Sequence, residues 1–238
     1  MDNLTNKVSD LIKAFISLKK YQDKVDDLSA FQLIQNLIKL PEYFPVTDSS
    51  IGFHTLLTIL NDIILNKRQN IIEFGSGIST LVIAKLIKED KLGCKFFSVE
   101  DNLEWVNFMK SSINKNDLEE YVSFIYAPLE KTKLSVENNS WYSVKVLDEH
   151  IPSDVKIDLA LVDGPGAWQP EIKLSRYTAV PFLINKLANN FSVYLDDSNR
   201  KGEQKIINLW KKKYNLDFNK INSKSSVCIK GNKLNTIL

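Results

Sequence analysis

Four short apolar runs in this chain end in acids, and their neighbours decide what chemistry those acids can do. "NIIEF" carries Glu73 and runs into Gly75, Ser76 and Gly77, and "KFFSVE" ends in Glu100 followed by Asp101. "LALVD" ends in Asp163 before Gly164-Pro165, and "FSVYLDD" ends in Asp196-Asp197. Glycines let a turn take positive φ and let a ligand lie against bare backbone, while N–H groups opening the next helix hold an anionic group. Ser79 and Thr80 are both candidate caps for that helix. A carboxylate at 73 repels a pyrophosphate and suits a ligand bearing a cationic amine. Glu100, somewhat beyond the roughly 20 residues at which nucleotide-binding units place a ribose acid, can accept bonds from both ribose hydroxyls. Asp101 reads equally as a helix N-cap.

These acids need a scaffold that brings strand ends to one edge. Short apolar runs at 70–74, 95–100, 121–127, 156–163 and 191–197 alternate with helical patterns at 79–90, 102–115 and 172–189. Near-continuous apolar strands separated by helices predict an α/β fold with a doubly wound, mostly parallel sheet. Ile206, Ile207, Trp210 and Tyr214 form one stripe of a further helix, and "LDFNKI" with "SVCIK" predicts a closing antiparallel hairpin. Upstream, residues 4–40 read as two amphipathic helices parted near Asp26-Asp27-Leu28-Ser29, and a connector with two prolines follows. Asp48 to Ser50 offer N-caps for a helix through residue 65. The expected division is a helical cover or oligomerisation segment at 1–47 and a Rossmann-like domain at 48–238. Residues 128–155 read as an exposed loop anchored by Trp141 and Tyr142.

Composition narrows the partners. With 31 Lys and Arg against 29 Asp and Glu, the net charge of +2 gives no electrostatic reason to expect nucleic acid or an acidic membrane. The N-terminus lacks a secretory h-region and no run reaches the roughly 18 apolar residues of a spanning helix, so a cytoplasmic location is expected. Cys94 and Cys228 match no metal spacing and read as inert buried thiols.

The motifs E-F-G-S-G at 73–77, V-E-D at 99–101 and V-D-G-P at 162–165, in that order on successive strands before a closing hairpin, resemble a class I S-adenosylmethionine-dependent methyltransferase. The resemblance covers roughly residues 50–231. It implies that Glu73, Gly75, Ser76 and Gly77 line the methionine part of the cofactor and that Glu100 takes the ribose. By the same likeness the turn at Ala127 borders the adenine, and Ser79, where many relatives have a third glycine, is a ligand for the methionine carboxylate.

Asp163, Asp196 and Asp197 are similar in placement to the acids that hold magnesium in metal-dependent small-molecule O-methyltransferases. Such an ion lowers the acceptor hydroxyl's pKa. The alternative is that Asp196 or Asp197 merely caps the next helix. His54 is a candidate general base, and Trp168, Trp141 and Arg200 are candidate substrate contacts. The acceptor is expected to be a small molecule or sugar. A nicotinamide-dependent oxidoreductase is the first rival, opposed by Thr80 where G-x-G-x-x-G needs glycine; a silent cofactor-binding subunit is the second.

Overall fold

The computed structural model describes residues 2–39, 43–167, 169, 172–231 and 234–237. The chain begins with helix α1 (Asp2–Ile38) and α2 (Phe53–Leu65), followed by strand β1 (Asn70–Phe74), α3 (Ile78–Glu89), β2 (Lys95–Glu100), α4 (Leu103–Asn114) and β3 (Ser123–Tyr126). A two-stranded ribbon, β4 (Leu129–Lys131) and β5 (Ser140–Tyr142), leads to α5 (Val144–His150) and β6 (Ile157–Val162). The chain closes through α6 (Ala179–Leu183), β7 (Leu187–Leu195), α7 (Lys201–Tyr214), β8 (Asn219–Lys220) and β9 (Ser226–Lys230).

The main sheet has the order β3-β2-β1-β6-β7-β9-β8. Its first five strands are parallel, and β9 runs antiparallel to β7. The order reverses between β1 and β6, and a crevice at the carboxyl ends of such neighbours is where open α/β sheets bind ligands. Both faces are covered, as near-continuous apolar strands require. One core packs Ile71, Leu159 and Leu161 against α2 and α3; the other packs Ile72, Phe74, Val99 and Val162 against the ribbon and α6.

Four expectations are corrected. The N-terminal segment is one helix rather than two, because its polar interruption finds partners without leaving the helix. The side chains of Asp26 and Ser29 bond within α1, Asp26 accepting from Gln22 at 2.7 Å and Ser29 donating to the Val25 carbonyl at 2.9 Å. Asp27 reaches out instead, accepting the His54 N–H at 3.0 Å, and so serves the first turn of α2. The expected caps at 48–50 therefore lie ahead of that helix, whose N-cap is Gly52.

The helix expected at 172–189 is mostly something else: a 3-10 turn at Ser175–Thr178, the short α6, and the start of β7. Pro181 has no N–H and its ring crowds the carbonyl four residues back, so it is tolerated only in a first turn, and α6 begins two residues before it. The loop expected at 128–155 is the β4–β5 ribbon followed by α5, with Trp141 and Tyr142 both 0% exposed. Its aromatics are wanted on the sheet, where Trp141 lies 5.2 Å from the Phe74 ring and Tyr142 stacks on it at 5.8 Å.

A buried ion pair fixes α2 to the sheet. Arg68 donates to Asp62 at 2.9 Å and to Ser192 on β7 at 2.6 Å, and Tyr194 donates to Asp62 at 3.0 Å. Among the described residues no helix is long and apolar enough to cross a membrane. The first half of α1 leaves Leu11, Phe15 and Leu18 about two-thirds exposed, at 70%, 68% and 67%. The two thiols are held protonated: burial pushes Cys94 and Cys228 up to about 11.

Candidate active site

The ends of β1, β2, β6 and β7 open on one cavity of about 380 Å³ at the sheet's switch point. Gly75, Ser76, Gly77, Ser79, Glu100, Asp101, Asp163, Asp197 and Arg200 all line it. Its far wall comes from the connector, through Phe44, Pro45, Ser49 and Ser50, and from Trp105. That volume lies at the small end of the roughly 300–1,000 Å³ typical of small-molecule sites.

Two glycines here have different causes. Gly75 has φ +97°, and a Cβ on it would meet the Gly164 nitrogen at 2.9 Å, so glycine is needed to let two strand ends touch. Gly77 has φ −176°, which any residue adopts, and a Cβ there would meet nothing within 4 Å. Its bare α-carbon faces the cavity and leaves room for something other than protein.

Glu100 is 9% exposed and already well used by its own chain. One carboxylate oxygen accepts the Ser76 N–H and hydroxyl, both at 3.1 Å; the other accepts the Asp101 and Asn102 N–H groups, both at 3.0 Å. A carboxylate has about four lone-pair sites, so an incoming diol must displace one donor, and the Ser76 hydroxyl is the one that can rotate away. Asp101 beside it is pushed up to about 6 by burial and by Glu100.

Glu73 does not line the cavity. It is 0% exposed, one layer behind the glycine turn, and three hydroxyls point at it: Ser79 at 2.9 Å, Ser98 at 2.7 Å and Thr80. Burial nevertheless lifts its pKa to about 7. Ser79, which the resemblance made a carboxylate ligand, spends its hydroxyl proton on Glu73. Ala127 is also displaced from its expected role: it is 0% exposed and packs in the core with Phe74 and Trp141, because its N–H pairs with the Glu100 carbonyl at 2.9 Å. The wall beside Asp101 is aromatic instead, with Trp105 stacked on Phe108 at 4.9 Å and Phe44 edge-on to Trp105 at 6.3 Å.

His54 is brought nowhere near this chemistry. Its side chain is buried on α2 outside the cavity lining, and its Nδ1 has no hydrogen-bond partner among the described residues. Trp141 is likewise core, and Trp168 lies outside the described residues.

The three aspartates do converge: one oxygen each from Asp163, Asp196 and Asp197 lies within 4.8 Å of the others. A cation between them was anticipated, but its identity was not. Arg176, 3% exposed, donates to Asp197 at 3.2 Å and to the Asp196 carbonyl at 3.2 Å, and pairs with Asp163 at 3.5 Å. Arg200 also pairs with Asp197, at 3.0 Å. Burial opposes the Arg176 charge, yet Asp163 and Asp197 outweigh it and raise its pKa. Asp163 is pushed well above the usual carboxylate range by burial and by Asp196.

Tyr142 was also missed as a site residue. Its hydroxyl is buried, borders the cavity, and has no partner among the described residues. Burial, with Glu100 and Asp101 nearby, holds its pKa well above 10.0, so it presents a neutral O–H donor. A buried hydroxyl left unpaired costs about 1–3 kcal/mol, and a ligand in the cavity it borders would supply the partner.

No family model matches the chain, and no curated protein matches it. Solved structures do. A methyltransferase from Podospora anserina with S-adenosylhomocysteine bound is 13% identical with a TM-score of 0.60, and the match covers 92% of this chain and 96% of that one. An O-methyltransferase of tomaymycin synthesis from Streptomyces achromogenes, solved with S-adenosylmethionine, is 13% identical at TM-score 0.54, covering 91% and 96%. An O-methyltransferase from Bacillus cereus in complex with S-adenosylhomocysteine is 14% identical at TM-score 0.52, covering 90% and 97%. The chain has the fold of the class I O-methyltransferases over nearly its whole length.

Proposed function

We propose that the chain is an S-adenosylmethionine-dependent methyltransferase whose acceptor is an oxygen of a small molecule or sugar. The observation that carries this reading is the pairing of Gly77's open Cβ position with Glu100 in one cavity at the switch point. A nucleoside with a short cationic tail suits that pairing, and a pyrophosphate does not, because Glu100 and Asp101 flank the turn. Three of the solved relatives in fold carry this cofactor or its product.

When bound, the cofactor would supply a methyl group on a sulfonium centre. The remaining work falls to the chain. Glu100 accepts the ribose hydroxyls as the Ser76 hydroxyl turns aside, and Gly75 to Gly77 keep backbone bare beside the amino-acid tail. The Trp105 and Phe44 wall next to Asp101 offers the purine a flat apolar surface. The Tyr142 hydroxyl donates to an acceptor atom of the ligand. Asp163, at the cavity wall and 3.5 Å from the Arg176 guanidinium, is the residue placed to take the proton from an acceptor hydroxyl. Holding the acceptor oxygen in line with the methyl carbon and the sulfur it leaves would supply most of the rate gain.

The test is release of S-adenosylhomocysteine, followed by mass spectrometry across a panel of phenols, catechols and sugars. Turnover with at least one acceptor, lost in Asp163→Asn while product binding persists, is expected. Normal binding with no turnover on any acceptor, and an Asp163→Asn variant altered only in stability, would instead identify a silent subunit.

Tyr142→Phe separates the hydroxyl from the ring. Its removal is expected to leave melting unchanged or slightly higher, since an unpaired buried group is gone. S-adenosylhomocysteine affinity should fall about 2- to 12-fold, the value of one hydrogen bond of about 0.5–1.5 kcal/mol. Calorimetric titration beside a thermal melt measures both.

A further inference from the structure

We propose that the guanidinium of Arg176 is the resident cation of this site, standing where metal-dependent enzymes of this fold hold a divalent ion, and that the chain binds no metal there. The donor set alone suggests otherwise, because three carboxylate oxygens within 4.8 Å of one another suit a hard ion. What those oxygens already face decides the matter. Arg176 comes from the 3-10 turn at Ser175–Thr178 and is 3% exposed. It enters the angle between the ends of β6 and β7 and ties them together: Nε donates to the Pro165 carbonyl at 3.3 Å, and a terminal nitrogen to the Asp163 carbonyl. The other terminal nitrogen donates to the Asp196 carbonyl and to the Asp197 carboxylate, each at 3.2 Å.

The carboxylates are committed as well. Asp196 accepts the Ser225 hydroxyl on its Oδ1, and Asp197 shares one oxygen between Arg176 and Arg200. Glu203 stands 3.8 Å from the same terminal nitrogen of Arg176 that meets Asp197. A divalent ion binds oxygens at roughly 2.0–2.6 Å, so it would sit within a few ångströms of a buried guanidinium. Like charges at that separation, with the guanidinium itself only 3% exposed, repel strongly. Guanidinium stays charged at any working pH, unlike a lysine, and its planar fork meets several acceptors at once. Arg176 is thus a positioning residue: it fixes Asp163 and Asp197 at the cavity wall without an exchangeable ion.

Manganese titration decides between the two cations, and neither readout requires turnover, so failure here is distinct from failure of the methyltransferase reading. Wild-type protein should show no stoichiometric Mn²⁺ by electron paramagnetic resonance at millimolar metal, and its melting temperature should ignore both Mn²⁺ and chelator. Arg176→Ala should melt lower, gain Mn²⁺ affinity by roughly tenfold or more, and recover part of its lost stability when the ion is added. Arg176→Lys should not gain it. One tightly bound Mn²⁺ in the wild type, lost in Asp197→Asn, overturns the proposal; so does a folded Arg176→Ala that ignores the metal. Should Arg176→Ala fail to fold, the wild-type titration alone decides.

Discussion

Gly77→Val is expected to lose about 100-fold or more of its affinity for S-adenosylhomocysteine while the protein stays folded. The backbone at this position is extended, at φ −176°, so a side chain introduces no strain of the left-handed kind. A Cβ there meets nothing within 4 Å, so no protein atom has to move. The cost to folding is confined to a weaker helix N-cap, about 1 kcal/mol, or roughly 2–4 °C of melting for a chain of this size. The branched side chain projects into the volume the ligand would use, so the ligand must give up its packing against the turn. Gly75→Ala should do the reverse. At φ +97°, and with the Gly164 backbone 2.9 Å from the new carbon, it should lower stability before binding can be asked about. Thermal melts paired with calorimetric titrations separate the two glycines.

The second large effect is a pH dependence written into Glu73. Its folded pKa is about 7 against the ordinary 4.5, raised by burial despite its three hydroxyl donors. A raised carboxyl pKa means that the folded state holds the proton more tightly than the unfolded chain does. The protonated carboxyl therefore carries no penalty below about 4.5, and stability falls as pH rises through the interval up to about 7. Above that the loss is constant, about 3 kcal/mol at 1.36 kcal/mol per unit.

Glu73→Gln keeps the shape and never ionises. It should match the wild type near pH 4 and exceed it by about 3 kcal/mol near pH 8, as read by denaturant unfolding at both values. An equal difference at the two pH values would contradict the shift. A cation in the cavity in front of the glycine turn lowers the cost of ionising Glu73, so affinity for a cationic ligand should climb over the same interval. The strand-terminal acid would then act on the ligand through the field behind the turn, not by contact.

Strands at 70–74 and 95–100 were legible to the residue, since strands buried on both faces write themselves as unbroken apolar runs, and the acids that follow mark their carboxyl ends. Gly75, Gly77, Glu100, Asp163, Asp197 and Arg200 meet in one cavity as their positions at strand ends required. What failed were side-chain directions and long-range partners. Glu73 and Ala127 belong to the right turns but point away from the cavity, and a period-2 pattern cannot say which strand-end residue faces a crevice. His54 was chosen for its residue type, whereas its helix turns it into the interior.

Arg176 was hidden because residues 172–189 carry helix-like spacing, which makes an arginine there look solvated. Its partners Asp163 and Asp197 lie far from it in sequence. Pro181 was the available signal, since it forbids one unbroken helix across 172–189. The ribbon carrying Tyr142 was hidden for a related reason. Polar residues Glu137, Asn138 and Asn139 mark the turn, but two positive-φ residues at 137 and 138 close a hairpin that tucks the following aromatics under the sheet.

The most direct measurement is a calorimetric titration of S-adenosylhomocysteine and, separately, NAD into the wild type and into Glu100→Ala. Saturable binding of the sulfur nucleoside to the wild type, a loss of about tenfold or more in the variant, and no heat from NAD are expected. Binding of NAD instead, or a sulfur nucleoside that binds equally well without the carboxylate at position 100, would contradict the assignment of this cavity.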